Sequence, residues 1–474
     1  NLSMDRDKVI FDKTLAKLLE KYMSDSKQLE DVKLYLNQLK DEDGNPYSQS
    51  LKQYDKLVKQ INKFAEKNYT SFRWNRNYQK ALKKVESIIL RHSKLRQLNY
   101  YSDDDIVQAI PKSDTHSGFS YLLTGKKYKG EYFDGIFQMY SREEQDARIN
   151  RSFNKPILPG TRTQGSGAFD DVDGSFTYTC KHKTRLVSMI DINVIIAELK
   201  FAKPFQSLMS HMEFYAGGKD DNQLSNLILN LRRRYAYWCS LDYSSFDQTI
   251  SRWLIEDAFS IIRKAFHDDG FDDELFEIVK ADFIEKNFIT ADGIVFSRKG
   301  VPSGSMFTQI VDSIVNLICV FTYLYSKGID GECVIMGDDN LLFTYTEVDN
   351  QDIASYLAHN FGLIVNPDKT DSGKCSAQPP KFLSREWRNI GQWRHPNVLI
   401  SKLLYPERWR PYSSGEARPQ DIIYGYYLTY KLGMDEILDT KAFFRDYPFN
   451  PKTFERVVNR YVPGALQFNM TYLM

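Results

Sequence analysis

Asp242 closes an apolar, β-prone run from Tyr235 to Leu241, and Asp338 and Asp339 stand together in the segment ECVIMGDDNLLFTYTE, from Glu332 to Glu347. Carboxylates at the end of a buried strand are placed for metal binding, because the sheet fixes the backbone while the side chain projects into a cleft. Taken alone, Asp242 reads equally well as the cap of a turn or of the helix that follows. Two adjacent carboxylates about 4 Å apart repel by roughly 1 to 4 kcal/mol at effective dielectric constants of 80 to 20, so a cluster of three calls for a cation. Two Mg²⁺ ions roughly 3.5 to 4 Å apart would neutralise it and serve in-line phosphoryl transfer.

The elements around these residues are legible from their patterning. Cys333 to Met336 and Leu341 to Tyr345 read as the strands of a hairpin whose tip holds Gly337, Asp338, Asp339 and Asn340. Both strands are apolar nearly throughout, which an ordinary solvent-facing hairpin would not be. After Asp242, Ser251 opens a helix with Trp253, Leu254, Ala258 and Phe259 available to a core. A third segment, SRKGVPSGSMFTQIVDSIVNLICVFTYLY, places a glycine- and proline-rich loop at Gly300 to Gly304 before a long helix from about Met306. Thr308, Asp312 and Asn316 recur every four residues on that helix as a polar stripe among Phe307, Ile310, Val311, Ile314, Val315 and Ile318. A solvent-facing stripe would normally carry Lys or Glu, and none occurs between Lys299 and Lys327.

Composition bounds the rest. The 474 residues, 42% of them hydrophobic, allow a large core in two to four structural units. With 63 basic and 62 acidic residues, a nucleic acid would have to be held by local patches, not by a global field. Cys180, Cys239, Cys319, Cys333 and Cys375 form no CxxC pair, which fits a reducing compartment without structural zinc. The longest charge-free apolar stretch, Ser313 to Ser326, falls short of the roughly 20 residues of a spanning helix, and no signal-peptide pattern opens the chain, so the expectation is a soluble protein without a membrane partner. No phosphate loop of the GxxxxGK[ST] type occurs, which disfavours a helicase. Residues 1 to about 100 have helical periodicity, with Leu15, Leu18 and Leu19, then Leu34, Leu36 and Leu39, then Leu57, Val58 and Ile61. Residues 110 to 235 break into turn-rich pieces with Lys/Arg clusters and few long helices, 236 to 393 alternate strand and helix, and 394 to 474 are aromatic-rich and mostly helical. The expected class is α+β.

The order and spacing of these motifs resemble the viral RNA-dependent RNA polymerases. Asp242 with Asp247 looks like motif A, Ser303-Gly304 with Thr308 like motif B, and Gly337-Asp338-Asp339 like motif C. Lys369 in NPDKT stands at the motif D position, KFLSREW with Phe382, Leu383 and Arg385 is similar to motif E, KHKTRLV with Lys183 and Arg185 to motif F, and DTHSGFSY from Asp114 to Tyr121 to motif G. The wording GVPSGSMFTQIVDSIVN is nearest to polymerases of partitiviruses and related double-stranded RNA viruses, with picobirnaviruses more distant.

The resemblance implies a right-handed fingers-palm-thumb fold with an antiparallel palm sheet. Its divisions would be a helical region 1–105 bracing fingers and thumb, fingers 106–235, palm 236–266, a fingers insertion 267–299, palm 300–393 and thumb 394–474. It implies a nucleotidyltransferase that transcribes and replicates double-stranded RNA segments inside a capsid in the host cytoplasm, without a primer. Partners would be template and product RNA, ribonucleoside triphosphates and capsid protein. Asp242, Asp338 and Asp339 would hold two Mg²⁺, with Mn²⁺ as substitute, and Lys369 would protonate pyrophosphate. Lys183 and Arg185 would clamp the triphosphate. Asp247, Ser303, Gly304, Thr308, Asp312 and Asn316 would form the ribose site. Asp247 and Asp312 carry like charges, so one must be protonated or a donor such as Asn316 must lie between them. Many positive-strand relatives have Asn where this chain has Asp312, so sugar selection would be wired differently. Thr115, Ser117, Gly118, Lys126, Lys127, Phe382, Leu383 and Arg385 would contact RNA, although a lysine run such as Lys126, Lys127 and Lys129 reads equally well as a solvated face. The rival readings are a reverse transcriptase-like palm polymerase and a catalytically silent RNA-binding capsid component.

Overall fold

The computed structural model describes residues 11–38, 54–172, 175–406, 410–454 and 461–462, with the side chains of 26, 34–38 and 163–184 outside that description. A four-stranded antiparallel sheet lies at its centre, in the order Asp371–Lys374, Tyr237–Leu241, Asp339–Thr344, Gly331–Met336. Both faces of this sheet are covered, which accounts for the nearly continuous apolar strands. Cys239, Leu241, Cys333, Ile335 and Leu342 enter the largest core. Trp238, Val334, Leu341 and Phe343 enter a smaller one with Leu224, Ile228, Phe382, Leu383 and Trp387.

The long helix spans Thr308–Lys327, two residues later than expected, and every residue from Ile310 to Leu324 is buried. An all-round apolar helix belongs inside a core. Contrary to the expectation from the charge-free stretch, its length and hydropathy would suit a membrane span, but the protein's own elements cover most of it. The helix Arg252–Ala265 buries Trp253, Leu254, Ala258 and Phe259, the face that its spacing predicts.

Between 110 and 235 the structure departs from the expectation of few long helices: Ile136–Asn150, Ile192–Ser210 and Asp221–Arg234 are all helical. Ile192–Ser210 escapes periodicity analysis because its first eleven residues are all buried, so that a polar stripe (Lys203, Gln206, Ser207, Ser210) appears only in its last two turns, and because it contains Pro204. A long antiparallel ribbon, Leu158–Val172 with Ser175–Met189, precedes it. The N-terminal helices divide between two cores. Lys13–Tyr22 and Ser26–Gln38 contribute Leu15, Leu19, Leu29 and Val32 to a cluster with Leu399, Leu403, Ile422 and Tyr426, whereas Tyr54–Phe64 and Arg76–Arg96 contribute Leu57, Ile61, Val85 and Ile89 to the largest core. Leu39 lies outside the described residues. The C-terminal part is helical at Pro396–Leu404, Pro419–Thr429, Lys431–Ile437 and Thr440–Asp446.

Candidate active site

Sheet register assembles the acidic centre. Met336 pairs with Asp339, so the hairpin turn is only Gly337-Asp338, and Asp339 and Asn340 belong to the strand and not to the tip. Gly337 has φ +66°, the conformation that favours glycine, and a Cβ there would meet the end of the Gln309 side chain at 2.9 Å. Leu241 pairs with Asn340, which brings Asp242 out at the same sheet end as Asp338 and Asp339. All three are exposed to solvent. Desolvation by the protein around it, then the charges of Asp338 and Asp242, push the Asp339 carboxyl up to about 7, against the pull of Arg185 and Arg385. The donors are hard oxygens of like charge, the set that suits Mg²⁺ or Mn²⁺. Among the described residues no three acidic, His or Cys side chains are drawn into a closed metal cage.

Asp247 and Asp312 do meet, and no amide separates them. Burial, and next the Asp247 charge, push the Asp312 carboxyl well above the carboxylate range, so it is the protonated partner and donates to Asp247. Asp247 itself is pushed up to about 6 by burial, with the Asp312 hydrogen bond and Arg185 acting against that.

Asn316 is committed elsewhere. Its Oδ1 accepts from Tyr243 Oη at 3.1 Å and from Asn340 Nδ2 at 2.9 Å, and its Nδ2 donates to the carbonyls of Gly337 at 3.0 Å and Asp338 at 3.1 Å. Its amide hydrogens hold the 337–338 turn while its Oδ1 holds Tyr243, so Asn316 ties the strand end at Asp242 to that turn. Thr308 also turns inward: its hydroxyl donates to the Pro302 carbonyl at 3.0 Å and accepts from the Gly304 N–H at 3.5 Å, closing the loop below Ser303. Ser303 Oγ donates to the Leu186 carbonyl at 2.9 Å, and the Ser303 carbonyl accepts from the Ser188 N–H at 3.0 Å. Gly304, φ +147°, passes so close to Ser188 that a Cβ would lie 2.1 Å from its carbonyl oxygen. The loop is thereby stitched to the end of the ribbon strand that carries Arg185.

Arg185 is exposed and acts on Asp247 and Asp339 together. The side chain of Lys183, like that of Cys180, lies outside the described residues; Cys239, Cys319, Cys333 and Cys375 are free and buried. Lys369 is exposed on a turn bonded to the Asp242 backbone through Asn366 and Thr370.

The expected RNA contacts divide. Lys126 and Lys127 are exposed, as a backbone-binding surface requires. Ser117 is fully buried, its hydroxyl donating to the Lys126 carbonyl at 2.7 Å and its N–H to the Lys127 carbonyl at 2.9 Å, so it shapes the lysine loop from within. Gly118, φ +75°, packs on the backbone of Ile190 and Asp191, where a Cβ would come within 2.5 Å. Thr115 accepts from the buried Lys129 ammonium at 3.0 Å. Phe382 and Leu383 are buried in the core beneath the sheet. Arg385 is 4% exposed, with its charge near Asp339 and Tyr430.

Sequence reasoning missed Tyr243, Asn340, Ser313 and Thr370. Ser313 Oγ accepts from the Gly337 N–H at 2.9 Å, completing the support of the turn. Asn340, directly after the acidic pair, was the one legible signal; the others join the site through contacts distant in sequence.

Residues 36–408 match the family model described as viral RNA-dependent RNA polymerase. The RNA-directed RNA polymerase of Cryptosporidium parvum virus 1 (strain KSU-1) is 26% identical over 332 residues, 66% of this chain and 59% of that protein. That of Atkinsonella hypoxylon virus (isolate 2H) is 34% identical over 135 residues, 26% of this chain and 20% of that one. The chain thus spans less than two thirds of these relatives. The crystal structure of the RNA-dependent RNA polymerase of a human picobirnavirus aligns with a TM-score of 0.60 at 15% identity, covering 94% of this chain and 79% of that one. The fold is therefore the α+β polymerase fold that the motifs led one to expect.

Proposed function

We propose, for a chain that belongs to the viral RNA-dependent RNA polymerase family, that it copies an RNA template by nucleotidyl transfer at the sheet end where Asp242, Asp338 and Asp339 converge. That convergence, which sheet register enforces, is the observation that carries the reading, and the charge of Arg185 acting on Asp247 and Asp339 supports it.

Asp242 and Asp338, with Asp339 as the lesser ligand, would hold two Mg²⁺, or Mn²⁺ in their place. When bound, the ions supply an acidified 3′-hydroxyl and charge neutralisation at the triphosphate. Arg185 binds triphosphate oxygens in bidentate fashion, with Lys183 beside it in sequence. Asp247, carrying the hydrogen bond from Asp312, presents an acceptor to the ribose 2′-hydroxyl, and Ser303 and Gly304 bound the same pocket. Lys369, exposed and anchored to Asp242, donates a proton to the departing pyrophosphate. Lys126 and Lys127 receive template phosphates.

The substrate class extends to double-stranded RNA genome segments, with synthesis started without a primer inside a virion, against capsid protein, in the host cytoplasm; the motif B wording supports this lineage. The test is primer-free synthesis on single-stranded RNA with Mg²⁺ or Mn²⁺ and each labelled nucleotide set. Ribonucleotide incorporation lost in Asp338→Ala is the expected result. Preference for deoxyribonucleotides would favour a reverse transcriptase-like enzyme, and no incorporation under any condition would favour a silent RNA-binding component.

A further inference from the structure

The loop from Gly300 to Phe307 ends on a carboxylate that the centre described above does not use. Glu198 is 2% exposed and sits on the helix Ile192–Ser210. Its Oε1 accepts from Ser305 Oγ at 2.8 Å and its Oε2 from the Met306 N–H at 2.8 Å. From the same helix, Gln206 Nε2 donates to the Met306 carbonyl at 2.9 Å, so both polar groups of the Met306 backbone are held by one rigid element. The other end of that helix is capped by Asp191, whose Oδ2 accepts from Ser120 N and Ser120 Oγ at 2.7 Å. Gly118 packs on Asp191 as well. One helix therefore grips two distant segments: 117–120 beside the exposed lysines, and 305–306 at the base of the Ser303-Gly304 loop.

A buried carboxylate without a salt bridge costs free energy that an ordinary core residue would not, so its two short hydrogen bonds must matter where they are made. The charged groups facing it are Asp282, from the helix Asp273–Ile284, and Lys129, whose ammonium is held by Thr115 and His116. Burial pushes the Glu198 carboxyl up to about 7. Either protonation state can hold the loop, because a protonated oxygen donates to Ser305 Oγ while the other still accepts from Met306.

We infer that Glu198 is a positioning residue: through Ser305 and Met306 it sets the posture of the Ser303-Gly304 loop at the nucleotide site, and through its helix it ties that posture to the 117–120 segment. This rests on the polymerase reading for its kinetic consequence, but not for the hold itself.

The experiment compares wild type, Glu198→Ala, Glu198→Gln and Ser305→Ala by hydrogen exchange of the 300–307 segment and by steady-state kinetics normalised to active sites. Gln keeps an acceptor for Met306 and a donor for Ser305. Expected are faster exchange over 300–307 in Glu198→Ala and a roughly 10- to 100-fold rise in KM for nucleotide, exceeding the fall in kcat. Near-wild-type behaviour is expected for Glu198→Gln, and an intermediate shift for Ser305→Ala. Unchanged exchange and KM in Glu198→Ala would overturn the inference, as would a Glu198→Gln variant as impaired as Glu198→Ala. Should Glu198→Ala not fold, wild-type exchange and KM in Ser305→Ala would overturn it equally. An inactive wild type with the expected exchange pattern would sink the polymerase reading and leave the loop anchor standing.

Discussion

The backbone N–H of Asp242 donates to Thr370 Oγ1 at 3.3 Å, and Thr370 Oγ1 in turn donates to the carbonyl of Asn366 at 2.9 Å, whose own N–H returns to the Asp242 carbonyl at 2.9 Å. A metal-ligand candidate and the turn that bears Lys369 are thus one closed hydrogen-bonded unit. Thr370→Val keeps the shape and deletes the hydroxyl. Nucleotide incorporation is expected to fall roughly 10-fold, the usual scale for groups that orient a ligand, with stability lowered by only about 1 kcal/mol. Kinetics and denaturant unfolding of the same preparation check both; unchanged incorporation would detach this turn from the chemistry.

Asp338→Asn replaces a carboxylate proposed as a metal ligand with a neutral amide at the hairpin tip. Incorporation with Mg²⁺ should drop by on the order of 100-fold or more, above the range for orienting groups. Relief of repulsion should also return the Asp339 carboxyl toward its ordinary value, since Asp338 is the first charge that raises it. Carboxyl titration by NMR of the metal-free protein reads the second effect independently of activity.

The Asp247–Asp312 pair makes stability depend on pH. Below about pH 4 the Asp312 carboxyl is protonated in both folded and unfolded chains and nothing is lost. As pH rises the unfolded chain ionises while the folded one retains its proton, so stability declines toward neutrality. Glu198, pushed up to about 7, and Asp282, pushed up to about 6, act with the same sign. Asp312→Asn still donates to Asp247 and is expected to be more stable than wild type by on the order of 1 kcal/mol at pH 7, with a flatter profile. Equal slopes for the two proteins between pH 4 and 7 would refute the proton assignment.

Arg410, 2% exposed, donates to Asp12 Oδ2 at 2.9 Å, and Tyr412 Oη donates to the same oxygen at 2.5 Å. Asp12→Ala leaves a buried guanidinium without its counter-ion, which should cost about 3–5 kcal/mol. The loss should fall on the C-terminal core, and limited proteolysis should find cleavage between 394 and 446 before any in the central sheet.

Gly304→Ala places a methyl group against the Ser188 carbonyl and forces a side chain onto a φ of +147°. Incorporation is expected to fall at least 10-fold, on the scale of a displaced site loop, while Gly270→Ala, also at positive φ but with open space around its Cβ, should retain activity. Comparable activity in the two variants would show that the contact with Ser188 is dispensable.

The sequence alone determined the parts whose signal is local. Apolar strands ending on Asp242 and flanking Gly337 to Asn340, the amphipathic helix after Ser251 and the order of motifs from Asp114 to Trp387 follow from residue type and spacing, and they suffice for the fold class and the acidic centre. Tertiary structure alone decided what depends on partners far along the chain. Asn316 and Asp312 stand on one predicted stripe, yet one is spent on Tyr243, Asn340 and the motif C turn while the other shares a proton with Asp247. Phe382 and Leu383 stand in a motif, and that they are buried beneath the sheet is decided by the fold. Glu198 sits in the half of its helix that is buried all round, where periodicity vanishes, and its partners Ser305 and Met306 lie more than a hundred residues away. A side chain's type limits the bonds it can form, but which bonds it forms is set by the groups that folding brings within about 3 Å of it.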